Sequence, residues 1–274
     1  MGAAPERRLN LAVRGCWHRP PAGCTLKAMP ASPPAPRFRD RAAVLILVGL
    51  LVAGAVPAAT ARSAASGDSG DLAAALARAA PNADRRVLRL AATAMRCALK
   101  RPGSAVARGR LGVIDYSRPS TQPRLWVFDL QRQRLMFEEW VAHGRNSGAN
   151  RTEHFSNREG SYMSSLGGFT AAETYMGGNG YSLRLDGLEP GFNDQARERA
   201  IVIHGAPYVN PATARLQGRL GRSLGCPAVR LSVARPLIDA LSGGTFVFAY
   251  YPDATWLQHS ELLSTDCGDS VAAQ

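Results

Sequence analysis

The chain has 274 residues, 33 Lys+Arg against 21 Asp+Glu and a formal net charge of +12. From Arg62 onward the count is 25 basic against 19 acidic residues, so half of the excess belongs to the first sixty or so. What remains suits an anionic partner, but no basic run is interleaved with aromatics, and a nucleic-acid-binding role is excluded.

The first segment reads as an export signal. Arg37, Arg39 and Arg41 precede the apolar run Ala42–Ala53, small residues follow, and Ala59-Thr60-Ala61 forms an A-x-A cleavage triplet. The run is short of the roughly 20 apolar residues that a spanning helix needs, so membrane attachment follows only if it stays uncleaved. Met29 offers an alternative start with a basic region of ordinary length; residues 1–28, with Cys16 and Cys24, are assigned no function. Residues 1–61 are thus the signal region, 62–104 a linker and helical preface, 105–256 the main domain and 257–274 a tail.

Residues 62–70 are small and polar. Asp71–Ala80 and Ala83–Lys100 predict two short helices split by Pro81. In the second, Val87, Leu90, Ala91, Ala94, Met95, Ala98 and Leu99 make one buried stripe. After Pro102-Gly103 the pattern switches to strands: Leu111–Tyr116, then Leu125–Leu130 and Leu135–His143 as a hairpin across Gln131–Arg134. From Gly144 to Gly180 periodicity fades and Gly, Ser and Asn dominate, which predicts a long functional loop. Tyr181–Leu185, Ala200–His204 and Thr245–Tyr251 supply further strands, and another precedes His259. Val233–Leu241 predicts a short helix with Pro236 near its first turn. The order is that of a mainly β domain with a helical N-terminal layer.

Past the signal, Cys97, Cys226 and Cys267 remain, an odd number for an oxidising compartment. If two pair, Cys97 and Cys267 would tie preface to tail and leave Cys226 free; otherwise all three stay reduced. Cys226 lies among Ser, Gly and Pro in Gly221–Pro227 rather than in an apolar run, with Arg219 and Arg222 close in sequence. Guanidinium charge lowers a thiol pKa and anchors carboxylates. His204 closes the run Ile201-Val202-Ile203 and precedes Gly205. An imidazole beside a thiol generates the thiolate, its reactive form. His143 also ends a strand-like run before a glycine, and His154 lies in polar loop sequence. The local pattern favours His204 as base, with His143 as a second site-lining group. Gly225 lets backbone approach a substrate closely, and the amides around Cys226 are candidate oxyanion donors. Neither C-x-x-C nor H-x-x-x-H occurs, so no metal site is expected, and Ser223 lacks the G-x-S-x-G of a serine elbow. The chemistry these residues suggest is thiol-dependent acyl transfer without a cofactor.

His204-Gly205 followed by Ser223-x-Gly225-Cys226 resembles the catalytic signature of the L,D-transpeptidase family, whose YkuD-type domain remodels peptidoglycan. Asp115-Tyr116-Ser117, Val141-Ala142-His143-Gly144, Phe155-Ser156-Asn157, Ser164-Ser165-Leu166-Gly167, Tyr181–Leu185 and Gly221–Pro227 resemble, more narrowly, the murein L,D-transpeptidase catalytic-domain subgroup. The resemblance covers roughly residues 111–250. It implies a mainly β, twisted β-sandwich-like catalytic domain at 105–256, with short helices and the cysteine loop at the mouth of a cleft. It also implies Cys226 as nucleophile on the carbonyl of the third stem residue, usually meso-diaminopimelate, with release of D-alanine. The thioester then passes to an amine, or to water in carboxypeptidase-like members. By the same resemblance His204 is the general base, Gly205 orients it through its carbonyl, Gly225 and Cys226 offer amides to the oxyanion, and Ser223 lines the site. The implied partner is peptidoglycan stem peptide, the location periplasmic or wall-facing, and carbapenems are accepted in place of the peptide.

Two departures stand out. Many relatives carry histidine where this chain has Leu224, and arginine where it has Ala228; the nearest arginine after the cysteine is Arg230. Substrate anchorage would then fall to Arg219 or Arg222. The alternatives are an L,D-carboxypeptidase or endopeptidase with water as acceptor, or an inactive wall-binding scaffold.

Overall fold

A computed structural model describes residues 69–264 and Cys267. The export signal expected at 1–61 and most of the tail's end lie outside the described residues. The chain begins with α1 (Ser69–Ala79) and α2 (Arg85–Lys100). Asp84 caps α2, its carboxylate accepting from the Arg86 and Val87 amides at 2.6 and 3.2 Å. The strands are β1 (Ala107–Asp115), β2 (Leu125–Asp129), β3 (Arg134–Glu139), β4 (Gly167–Gly177), β5 (Gly180–Gly187), β6 (Val202–Gly205), β7 (Ala228–Val229) and β8 (Thr245–Tyr250). Three further helices, α3 (Pro211–Gln217), α4 (Leu231–Leu241) and α5 (Ala254–His259), lie between or after them.

All eight strands join one mixed sheet in the order β3-β2-β1-β8-β4-β5-β6-β7. The β1–β8 and β6–β7 pairs are parallel, and the others are antiparallel. Period-two alternation on β1, β2 and β8 divides the core. Leu111, Val113, Trp126, Phe128, Phe246 and Phe248 pack with the helical preface. Their neighbours Ile114, Leu125, Val127, Val247 and Ala249 pack on the other side with Leu237, Ile238 and Leu241 of α4. The chain is therefore mainly β with short helices and a helical preface that shares its core. Among the described residues, no helix is long and apolar enough to cross a membrane.

The structure departs from the sequence expectations in four places. The third strand ends at Glu139 rather than His143, and beyond it Ala142 and Gly144 meet Ala228 and Ser223 only through isolated bridges. Strand β4 occupies part of the stretch expected to be irregular. Its Gly168 reflects close approach, since a Cβ there would collide with Leu262 and Phe246. Helix α3 lacks the apolar periodicity that reveals a helix; it is opened by Asn210, whose side chain accepts from the Ala212 and Thr213 amides at 2.9 and 3.3 Å. His259 ends a helix, α5, instead of following a strand, and the fully buried Trp256 holds that helix to the core.

Cys97 and Cys267 are joined by a disulfide across 170 residues of sequence, and Cys226 is free. Cys97→Ala should cost about 2–5 kcal/mol of stability by releasing that closure. Thermal unfolding under non-reducing conditions checks this; an unchanged midpoint would show that the bridge constrains little.

Candidate thiol site

The parallel β6–β7 pair sets His204 opposite Ala228, two residues after Cys226, so base and thiol candidates share one region of the sheet. Cys226 is half-buried, with Sγ 3.6 Å from the carbonyl of Ala200, just before β6. His204 is buried, and its Nδ1 lies 3.0 Å from the Gly205 carbonyl. A carbonyl only accepts, so Nδ1 carries the proton and Nε2 keeps its lone pair. Burial holds the His204 pKa below its ordinary value, with the Gly205 carbonyl opposing. Burial pushes the Cys226 thiol up, opposed by the Val202 backbone and by the Arg199 guanidinium. Each shift favours the neutral form, imidazole at His204 and thiol at Cys226.

The cysteine turn is held by two serines. Ser223 Oγ accepts from the Gly225 amide at 3.1 Å and donates to the Cys226 carbonyl at 2.6 Å. Ser164 Oγ accepts from the Gly144 amide at 3.0 Å and donates to the Gly225 carbonyl at 2.9 Å. Gly225 has φ +131°, and a Cβ there would sit 2.9 Å from the Met163 carbonyl oxygen, so only glycine fits the turn. These bonds alter two expectations. Ser223 is buried inside the turn as a clamp instead of lining the site. The Gly225 amide is spent on Ser223, which leaves the Cys226 amide as the available donor of the two.

His143 also differs from expectation. It is 1% exposed, its Nδ1 is 2.7 Å from Arg124 Nη2, and its Nε2 is 3.4 Å from the Gly148 carbonyl. Guanidinium only donates, so here Nδ1 accepts and Nε2 carries the proton. Burial and the charge of Arg124 lower its pKa to about 3. The ring is packed behind the cysteine turn, which His143 supports with its backbone: its carbonyl accepts from the Ser223 amide at 2.9 Å. His143→Ala would leave a donor of the buried Arg124 unsatisfied, costing about 1–3 kcal/mol. The expected result is a lower thermal midpoint with turnover of the folded protein within severalfold of wild type. Lost turnover at unchanged stability would return the ring to the chemistry.

The arginines close in sequence to Cys226 each make bonds within the fold. Arg222 Nη1 donates to the carbonyls of Arg145 and Gly148 at 3.0 and 2.9 Å, which ties down that irregular segment. Arg219 Nη1 donates to the Leu220 carbonyl at 2.9 Å. Arg230 forms a two-pronged pair with Glu139 at 2.9 and 2.6 Å. The cation that acts on Cys226 is Arg199, which the sequence reading did not single out.

Buried Arg124 and half-buried Arg199 gather the scattered motifs around the turn. Arg124 donates to the carbonyls of Val141 and Arg118, to Thr152 Oγ1 and to His143, and its guanidinium lies 5.2 Å from the Tyr116 ring centre. Burial lowers its pKa to about 10. Tyr116, whose ring lies under the Arg124 guanidinium, is pushed up to about 12 by burial. Arg199 binds the Ser156 carbonyl and Ser165 Oγ. Tyr208, just beyond β6 and against Gly221, is also pushed up to about 12 by burial, with the charge of Cys226 adding to the rise. Among the described residues, no group of three or more His, Cys, Asp or Glu is placed to hold a metal ion.

Residues 79–250 match a family model described as the L,D-transpeptidase catalytic domain. No curated protein matches the chain. Similar solved structures include an L,D-transpeptidase from Mycobacterium smegmatis, at 15% identity and TM-score 0.34, covering 52% of this chain and 59% of that one. An L,D-transpeptidase from Stackebrandtia nassauensis has 13% identity and TM-score 0.33, covering 67% and 78%. L,D-transpeptidase 3 from Mycobacterium tuberculosis has 15% identity and TM-score 0.31, covering 52% and 61%. The chain thus spans less than two thirds of the length of the first and third of these.

Proposed function

The chain belongs to the L,D-transpeptidase catalytic-domain family, and from that premise we propose that it is an exported, cysteine-dependent acyl transferase acting on peptidoglycan stem peptides. The observation that carries the reading is Cys226 itself: a free, half-buried thiol on a clamped turn beside β6, where His204 keeps Nε2 unprotonated. Export is supported by the basic, apolar and small-residue segments of residues 37–61 and by the Cys97–Cys267 disulfide, a bond of oxidising compartments.

In the proposed reaction His204 Nε2 takes the thiol proton as Sγ attacks the carbonyl of the third stem residue. The Cys226 amide donates to the oxyanion. Collapse breaks the peptide bond, and the imidazolium returns its proton to the leaving amine of the terminal D-amino acid. The thioester on Cys226 is then attacked by an acceptor amine, whose proton passes to His204, and the free thiol is regenerated. Leu224, 58% exposed, is the apolar side chain that the turn offers to an incoming peptide.

Incubating the full chain with a purified disaccharide-tetrapeptide and reading product masses tests the proposal. Loss of the terminal residue with gain of an acceptor peptide is expected. Loss of the residue with gain of water only would make it a carboxypeptidase, and unchanged substrate would contradict the enzyme reading.

A further inference from the structure

Arg199 stands at the end of a helical turn that leads into β6. The Ile201 amide returns to the Ala196 carbonyl at 2.9 Å, and Ala200 adopts the left-handed conformation at φ +52°, where glycine is usual. An alanine held there costs about 1 kcal/mol or more. The consequence is an orientation: the Ala200 carbonyl faces Cys226 Sγ at 3.6 Å, while the preceding side chain reaches the cysteine turn. Arg199 Nη2 comes within 3.6 Å of the place that a Cβ on Gly225 would occupy.

The partners of this guanidinium are all neutral. Nη1 donates to the Ser156 carbonyl at 2.6 Å and to Ser165 Oγ at 2.5 Å. Nη2 donates to Ser161 Oγ at 3.2 Å and to the Met163 carbonyl at 2.7 Å. Four bonds account for the four Nη hydrogens, so neither Nη is left to hydrogen-bond a substrate. Among the described residues, no carboxylate pairs with Arg199. Half-buried, it is screened less than a surface charge would be.

We propose that Arg199 is a positioning residue of the thiol site, a fixed cation that pins the 156–165 segment against the Gly225–Cys226 turn and favours negative charge on the sulfur. The proposal rests on the reading of Cys226 as nucleophile. The titratable groups whose charge couples to that of Cys226 are Arg199 ahead of β6, Tyr208 beyond it and Tyr116 just after β1, while His204 on β6 lies opposite Ala228, two residues after the cysteine. The two tyrosines stay neutral near pH 7 because burial raises both to about 12. The interaction runs both ways: the guanidinium lowers the Cys226 thiol, and the thiolate raises Arg199 against its own desolvation.

The test is the pH dependence of iodoacetamide alkylation in the full chain, read by peptide mapping on the Cys226 peptide alone. Arg199→Gln keeps a donor for the loop and removes the charge; Arg199→Lys keeps the charge and loses the fork. At neutral pH the glutamine variant should alkylate about tenfold more slowly, its profile displaced upward by about one pH unit. The lysine variant should stay within about threefold of wild type. A glutamine profile matching wild type overturns the proposal, as does a lysine profile displaced as far as glutamine's, which would assign the effect to the clamp. If Arg199→Gln does not fold, the paired Ser161→Ala and Ser165→Ala variant must leave the profile in place, since it weakens the clamp and keeps the charge; a displaced profile overturns the proposal. Alkylation needs no substrate. An Arg199-dependent profile in a protein without acyl transfer would therefore contradict the enzymatic reading and leave the role of Arg199 standing.

Discussion

Cys226→Ala should lower acyl transfer by at least on the order of 10³-fold while the fold survives. The sulfur makes only weak contacts with backbone, to the Ala200 carbonyl at 3.6 Å and to the Val202 main chain. The bonds that hold its turn come from Ser223 and Ser164 and end on backbone atoms of residues 225 and 226, which alanine retains. Alanine loses only the sulfur at a half-buried position, so the thermal midpoint should stay within a few degrees of wild type. Product mass spectrometry beside thermal unfolding checks both halves. More than a few per cent of residual transfer would remove Cys226 from the nucleophile's role.

His204→Ala should be nearly as damaging, because a base and the nucleophile it activates act as a unit and their losses do not add. The double variant should be no worse than Cys226→Ala. Burial holds His204 below its ordinary pKa and pushes the thiol above its own, so neutral imidazole meets neutral thiol at neutral pH and the wild-type rate should rise with pH only as His204 loses its proton. Protonation of His204 should cut the rate only below the usual histidine range near pH 6.5. The variant should lose that acid limb and follow thiol ionisation alone. The Gly205 carbonyl loses its ring partner, so activity must be referred to the folded fraction. Full turnover in His204→Ala with none in His143→Ala would exchange the two roles.

The two histidines explain how much was legible in the sequence. Each ends a β-like run and precedes a glycine, and local pattern gives them the same meaning. Tertiary context separates them: Arg124, 19 residues before His143, takes its Nδ1, whereas His204 finds only its neighbour's carbonyl. The arginines teach the same lesson. Arg197 and Arg199 are two residues apart in a polar segment. One pairs with Glu173 and Asp186 at the surface, and the other lies against the cysteine turn. No periodicity distinguishes them, because the difference is made by the left-handed Ala200 and by a loop that folds back from residues 156–165. The strands β1, β2 and β8 were legible because alternate residues enter two cores. Strand β4 was not, since its glycines admit neighbouring side chains and read locally as loop. The cysteine turn was legible because it needs Gly225 and Ser223 for its own geometry, whatever surrounds it.

The central claim is that Cys226 is an acylatable nucleophile, and intact-mass spectrometry with a carbapenem addresses it most directly. Attack by the thiolate on the strained amide forms the thioester and opens the ring, so the adduct carries the whole mass of the reagent. One adduct per chain is expected, mapped to Cys226, absent from Cys226→Ala and slowed as falling pH protonates His204, the base that makes the thiolate. An unlabelled wild type at every pH, or an adduct that persists in Cys226→Ala, would contradict the account.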